Sequence, residues 1–206
     1  MVSSAYRVII LLSDNLLATS ATLPVEMLQT AAGAALGRDR DARGIAIEAV
    51  SRDGKPVRSS AGFALSPAAA LAEVGDCDLI HIPGQWRNPR PVLRADQDYL
   101  PWLRDRHERG AIITAVGTGS CFLAAAGLLD GRPATTHWHY FDQFQRDYPK
   151  VQLKRQYFIT GAANLYCAAS VNSLAELMVS IVNRWYGGAV AHLVQRNFFH
   201  EIRNSF

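Results

Sequence analysis

Short runs of apolar residues alternate along this chain with longer segments in which apolar residues recur every three or four positions. The short runs are too brief for helices and are bounded by turn-forming residues, so they predict buried strands. Apolar strands that alternate with helices are typical of a parallel sheet covered by helices on both faces, which makes three layers. The predicted strands are residues 6–12, 45–50, 78–82 and 111–116.

The segments with helical spacing predict the covering helices. A proline is tolerated only in the first turn of a helix, so the first helix is predicted to begin shortly before Pro24. No linker or internal repeat is visible, and a single domain over residues 1–206 is expected. The predicted helices are residues 21–35, 96–109, 120–126, 139–148, 168–185 and 189–202. The remaining predictions are a hairpin or short strand at 57–65, a short Ala-rich helix at 67–73, a strand fragment at 134–136, and one or two strands at 152–160.

Composition excludes several classes of protein. Hydrophobic residues make up 49% and charged residues 19% of the 206 residues, which suits a chain that buries a core. No apolar run approaches the roughly 18 residues of a membrane span, and no secretory signal pattern opens the chain, so a cytoplasmic protein without membrane contact is expected. The net charge of +3 includes no run of basic residues, which is weak evidence for direct nucleic-acid binding.

Cysteine and histidine spacing predicts neither a metal site nor a cofactor. Cys77, Cys121 and Cys167 lie far apart and form no C-x-x-C pair. His137 and His139 form an H-x-H pair, but no further ligand cluster accompanies them. Cys77 and Cys167 are expected in or near the core.

The strand at 111–116 runs directly into Gly117, Thr118 and Gly119 and then into a helix. A strand, a sharp turn and a helix form a nucleophile elbow, which presents the side chain of the turn residue at the carboxyl edge of the sheet. Ligands of parallel sheets bind at that edge, so the loops after Leu12, Ile82, Val116 and Thr136 are the ones of interest. Gly117 occupies the turn, and glycine has no nucleophile.

Four motifs carry a resemblance to a known group. The most specific is the string from Gly119 to Trp138, with its L-L-D-G-R turn and its T-T-H-W segment. The chain resembles the class I glutamine amidotransferase-like superfamily, and within it the N-terminal sensing domain of AraC-type transcriptional regulators. The resemblance implies a flavodoxin-like doubly wound sheet. The other matching pieces are residues 24–27, 82–84 and 166–177.

Two departures from the superfamily's enzymes bear on activity. The resemblance implies a cysteine at the elbow, where this chain has Gly117, and in the deglycase branch an acidic residue at the position of Ser20. Nucleophilic catalysis needs an attacking atom and a group that activates it, and both are replaced here. A non-catalytic sensing and dimerisation domain is therefore expected. The alternative is an amidase, hydratase or deglycase that uses Cys121 or a bound water, although a small buried cysteine is the plainer interpretation of Cys121.

The expected ligand is a small polar metabolite, such as an amine, an amide or an amino-acid derivative. The resemblance assigns an oxyanion-binding role to the backbone of Gly84 and Gln85, whose N–H groups are expected to receive a ligand carboxylate or carbonyl. Thr118 and Gly119 are expected to supply similar donors at a helix start. His137 is expected to hydrogen-bond a ligand or a backbone carbonyl, and Trp86 to form a pocket wall or a surface loop. The predicted ligand-binding set is Ser20, Gly84, Gln85, Trp86, Gly117, Thr118, Gly119 and His137.

The resemblance also implies partners. AraC-type regulators carry two helix-turn-helix units after the sensing domain, and no such pair occurs here, so DNA binding is expected only through a C-terminal domain absent from this chain. The apolar residues of the last two helices suggest a homodimer. They include Trp185, Tyr186, Phe198 and Phe199. A third possibility is a purely structural dimerisation module, in which the cavity beside Gly117 would be collapsed.

Overall fold

The computed structural model describes residues 5–198. Within that range the strands form one seven-stranded sheet and two small two-stranded pairs. In chain order the strands are β1 (Tyr6–Leu12), β2 (Ile45–Ser51), β3 (Val57–Arg58), β4 (Ala64–Leu65), β5 (Ala69–Ala70), β6 (Leu79–Ile82), β7 (Ile112–Val116), β8 (Pro133–Ala134), β9 (Gln152–Leu153), β10 (Ile159–Ala162) and β11 (Leu165–Ala168).

Seven α-helices accompany these strands among the described residues. The longest is the first, and short 3₁₀ turns occur at Leu71–Glu73, Gly117–Gly119 and Trp138–Tyr140. The helices are α1 (Ala18–Arg38), α2 (Arg90–Ala95), α3 (Tyr99–Glu108), α4 (Ser120–Ala125), α5 (Phe141–Asp147), α6 (Val171–Tyr186) and α7 (Gly188–Phe198). In the part of the chain that the structure covers, none of them has the length and apolarity needed to cross a bilayer.

The strand order of the main sheet is β10-β11-β7-β6-β1-β2-β5. Every neighbouring pair is parallel except β10 and β11, which are antiparallel at one edge. Successive residues of β1 point to opposite faces: Val8 and Ile10 pack on one side, Ile9 and Leu11 on the other. Helices α1, α6 and α7 cover the first face, and α2 to α5 cover the second. The predicted doubly wound, mostly parallel three-layer fold is confirmed.

Some local predictions were wrong. The Ala-rich segment 67–73 is not a helix, because its residues Ala69 and Ala70 pair with the edge of β2 before a single 3₁₀ turn. Sheet pairing here outweighs the helical preference of alanine. The hairpin at 57–65 is present as β3 and β4. The predicted last helix, 189–202, is present as α7 as far as Phe198, and its residues 199–202 lie outside the described part of the chain.

Aromatic residues that suggested a dimer are used within the chain. Trp185 stacks on Tyr6 with ring centroids 4.2 Å apart, and the hydroxyl of Tyr186 donates to the carbonyl oxygen of Arg43 at 2.8 Å. These contacts bury part of the two side chains, which remain partly exposed, and the homodimer stays a prediction. Phe199 lies outside the described residues.

Pro24 lies in the interior of α1, not in its first turn as predicted, because the helix begins at Ala18. Proline has no N–H, so the carbonyl of Ser20, four residues earlier, loses its helical partner. The imidazole of His81 on β6 replaces it, with Nε2 lying 2.8 Å from that carbonyl oxygen. Because a carbonyl only accepts, Nε2 carries the proton, and Nδ1 accepts from the hydroxyl of Thr114 at 2.9 Å.

His81 is completely buried, and burial lowers its pKa from 6.5 to about 4. The folded state therefore holds His81 neutral, while the unfolded chain takes up a proton below about pH 6.5. Stability from this group is fully present above about pH 6.5 and is lost as the pH falls toward about 4.

We expect acidification from about pH 7 to about pH 4.5 to lower the free energy of unfolding by about 2 kcal/mol through His81. Urea unfolding at several pH values measures the loss. The variant His81→Gln should be less stable at neutral pH but lack most of this pH dependence, whereas the exposed control His192→Gln should keep it. An unchanged pH profile in His81→Gln would contradict the assignment.

Candidate functional site

A cavity of about 400 Å³ lies where the carboxyl ends of β6 and β7 meet the first turns of α1 and α6. This is the edge at which parallel sheets bind ligands. Strand β7 contributes the turn at Gly117, and the segment after β6 contributes the opposite wall. The lining residues are Leu17, Ser20, Gly84, Gln85, Trp86, Arg87, Val116, Gly117, Thr118, His137, Trp138, His139, Tyr140, Ser170 and Val171.

Seven of the eight predicted ligand-binding residues line this cavity, and Gly119 is the exception. Gly119 packs so closely against the end of β6 that an added Cβ would lie 2.6 Å from the carbonyl oxygen of Pro83 and 2.7 Å from that of Ile82. Real Cβ atoms do not approach backbone oxygens that closely. The structure therefore places Gly119 where it allows the turn to pack on the sheet, away from the cavity wall.

Gly117 has the backbone of an elbow residue. Its φ is +51°, in the left-handed region that glycine adopts without steric cost. A Cβ built there would lie 3.6 Å from the Cβ of His137, which is ordinary contact. The turn thus keeps the geometry and the space for a side chain beside His137, but it carries none.

The backbone donors predicted to bind a ligand are already used inside the protein. The N–H of Gly84 donates to Oγ of Ser20 at 3.1 Å, and the N–H of Gln85 donates to Oγ1 of Thr118 at 2.9 Å. Thr118 returns its own hydroxyl proton to the carbonyl of Gln85 at 2.6 Å. Both N–H groups expected to receive a ligand carboxylate or carbonyl are thus bonded to side-chain hydroxyls within the protein.

Cys121 is a buried residue of α4 and does not line the cavity. It is completely buried, and burial raises the pKa of its thiol well above the ordinary value. Burial also raises the pKa of Cys167 to about 12 and that of Cys77 to about 11. Residues 5–198 hold no group of three metal-ligating side chains.

His137 lines the cavity and uses one ring nitrogen in a local hydrogen bond. Its Nδ1 accepts from the backbone N–H of His139 at 3.3 Å, so the neutral ring carries its proton on Nε2. Burial, and then the neighbouring His139, lower the pKa of His137. The ring is therefore neutral at neutral pH and offers one N–H donor.

Two tryptophans form exposed walls. Trp86 is 49% exposed and Trp138 is 71% exposed. Sequence reasoning placed Trp138 and His139 outside the binding set, and the structure brings both to the cavity.

Other lining residues were missed as well. Ser170 and Val171 follow the carboxyl end of β11, a strand that the sequence analysis did not predict. The same strand-end rule would have found them if the apolar residues 165–168 had been predicted as a strand. Arg87 is the one arginine among the lining residues, which include no lysine, and its φ is +60°. The sequence before it, Pro83 and Gly84, indicated a turn but not which side chains face the cavity.

Similarity to characterised proteins agrees with this geometry. The chain is 32% identical to the HTH-type transcriptional regulator CdhR of Pseudomonas aeruginosa, over 72% of this chain and 43% of that protein. It is 30% identical to the isonitrile hydratase of Pseudomonas putida, over 73% of this chain and 64% of that protein. It thus spans about two fifths of the length of the regulators it matches.

Among solved structures, an AraC family transcriptional regulator from Pseudomonas putida superposes with a TM-score of 0.77 at 26% sequence identity, covering 93% of this chain and 98% of that chain. The resemblance to the glutamine amidotransferase-like superfamily is confirmed. Because residues 6–184 match the DJ-1/PfpI family over most of the chain, the protein belongs to that family.

Proposed function

We propose that this domain senses a small polar metabolite without transforming it, as the ligand-binding part of a cytoplasmic AraC-type transcriptional regulator. The observation that carries the proposal is an open cavity at the elbow that offers neither a nucleophile nor free backbone donors for an oxyanion. Gly117 supplies no nucleophile, and the hydroxyls of Ser20 and Thr118 occupy the N–H groups that would hold an oxyanion. The similarity to transcriptional regulators supports a role that is not enzymatic.

Acyl transfer and related chemistry need a nucleophile together with donors aimed at the developing negative charge. Removing one oxyanion donor alone costs about a hundredfold or more in rate. Here the nucleophile and two backbone donors are unavailable together, while the cavity itself stays open. Selection for binding without turnover explains that combination.

The cavity argues against a purely structural role. A module that served only to dimerise would be expected to fill the space beside Gly117 with side chains, whereas Gly84, Gln85, Thr118 and His137 surround an open volume of about 400 Å³. That volume suits a small metabolite.

The proposal extends to the whole regulator. DNA contact would come from a separate helix-turn-helix domain, and a homodimer would match the two half-sites that such regulators bind. Ligand binding would shift the balance between two arrangements of the domains, by its difference in affinity for them.

A metabolite screen by thermal shift tests the sensing role. A ligand at about one hundred times its Kd should stabilise the domain by about 2.7 kcal/mol. The variants Trp86→Ala and Trp138→Ala should weaken binding about tenfold, because aromatic walls contribute of the order of 1 kcal/mol, while unfolding without ligand stays nearly unchanged. Phe158→Ala removes a similarly exposed ring, 72% exposed, that does not line the cavity, and it should bind normally. If none of the amines, amides and amino acids in the screen stabilises the domain, that result would contradict the sensing role.

The enzyme alternative through Cys121 has a direct test, and the similarity to isonitrile hydratase is the reason to perform it. We expect iodoacetamide at neutral pH to modify Cys121 slowly in the folded protein, since the thiolate is the reacting form and burial disfavours it. In urea all three cysteines should react at similar rates. The variant Cys121→Ala should keep any ligand-induced thermal shift. Rapid, selective labelling of native Cys121 would support an enzyme instead.

A further inference from the structure

The backbone of Gln85 is fixed on both sides. Its N–H and C=O both bond to the hydroxyl of Thr118, and an antiparallel bridge joins it to Leu16. On its two flanks, the N–H of Leu17 donates to the carbonyl of Gly84 and the N–H of Trp86 donates to the carbonyl of Asn15, at 2.8 and 2.9 Å. These bonds fix the backbone from which the Gln85 side chain extends.

That side chain is buried and incompletely paired. Gln85 is 3% exposed, it lines the cavity, and its Oε1 is fully buried with no hydrogen-bond partner in the described protein. Among the described residues whose buried side-chain atoms lack a partner, Gln85 alone belongs to the cavity wall. An unpaired buried polar atom costs about 1–3 kcal/mol, so it is expected to be paired when the protein is working.

The charges around Gln85 restrict the partner. The lining residues include no aspartate or glutamate, so nothing there balances a cationic amine. Arg87 adds a positive charge, and His137 is held neutral. A carboxylate does not supply the donor that Oε1 lacks, because its oxygens only accept, and the N–H groups of Gly84 and Gln85 are already bonded within the protein.

An uncharged carboxamide supplies the donor that Oε1 lacks, and it brings no charge that the lining would have to balance. A glutamine side chain places an acceptor, Oε1, beside the Nε2 donors, and a primary carboxamide offers the complementary donor and acceptor at the same spacing. The tryptophans at 86 and 138 then suit an apolar or planar body attached to that group.

We propose that Gln85 selects the ligand, pairing through its side-chain amide with an uncharged compound that carries a primary carboxamide on an apolar body. This inference rests on the proposed sensing function and adds the chemical class of the ligand.

Three probes that share a phenyl ring and differ in their polar group test the proposed chemical class of the ligand. Benzamide, benzoate and benzylamine are titrated against the domain by calorimetry or ligand-observed NMR. Benzamide should bind about tenfold or more tighter than either charged compound, which corresponds to about 1.4 kcal/mol. Equal or weaker binding of benzamide would overturn the proposal.

Variants at Gln85 separate ligand selection from folding. Gln85→Leu removes both polar atoms, so it should lose about tenfold in benzamide affinity while remaining at least as stable, because an unpaired buried oxygen disappears. Gln85→Glu keeps the length but replaces the donor with an anionic oxygen, and it should shift preference from benzamide to benzylamine. The exposed control Gln152→Leu should behave as the unmodified protein. Benzamide affinity unchanged in Gln85→Leu, or no shift in Gln85→Glu, would overturn the inference.

The two proposals fail in distinguishable ways. If charged library compounds bind in a manner that depends on Trp86 and Trp138 but carboxamides do not, the ligand class is wrong and the sensing role stands. If no compound of any class binds, both are wrong.

Discussion

The site depends on one hydrogen bond, from the buried imidazole of His81 to the carbonyl oxygen of Ser20. Pro24 deprives that carbonyl of its helical partner, and an unpaired buried carbonyl would cost about 1–3 kcal/mol. The bond therefore fixes the first turns of α1 against the end of β6. With the helix held there, Oγ of Ser20 lies within 3.1 Å of the N–H of Gly84, and the wall of the cavity follows from that contact.

Ser20 and Thr118 tie the loop after β6 to α1 and to the turn at the elbow. Each hydroxyl lies beside a backbone N–H that faces the elbow, and each satisfies it. Satisfied donors no longer attract a developing oxyanion, and they also make the wall rigid without any ligand present. The same two contacts preorganise the cavity, which lowers the ordering cost of binding.

The parts of this structure that follow from local pattern were predictable from the sequence. Buried parallel strands must be apolar throughout, so β1, β6 and β7 were visible as apolar runs, and the strand-end rule placed Gly84, Gly117 and His137 at one edge. Contacts that depend on ångström-scale approach were not predictable. Nothing in the sequence indicated that Ser20 and Thr118 bond to the neighbouring loop, that Gly119 packs against Pro83, or that Ala69 pairs with Val50.

The two aromatic walls, Trp86 and Trp138, come from segments far apart in the chain, yet hydrogen bonds to one carboxylate link these segments. The guanidinium of Arg90, just after the Trp86 segment, donates through Nε to Asp147 at 3.1 Å, and the side-chain amide of Gln143 donates to the same carboxylate at 2.8 Å. The hydroxyl of Tyr140, beside Trp138, also points to Asp147 at 3.4 Å. A carboxylate shared by three donors joins the start of α2 to α5. A ligand between Trp86 and Trp138 would therefore contact two segments that are already joined through one carboxylate, and this shared contact is a physical connection between the two walls.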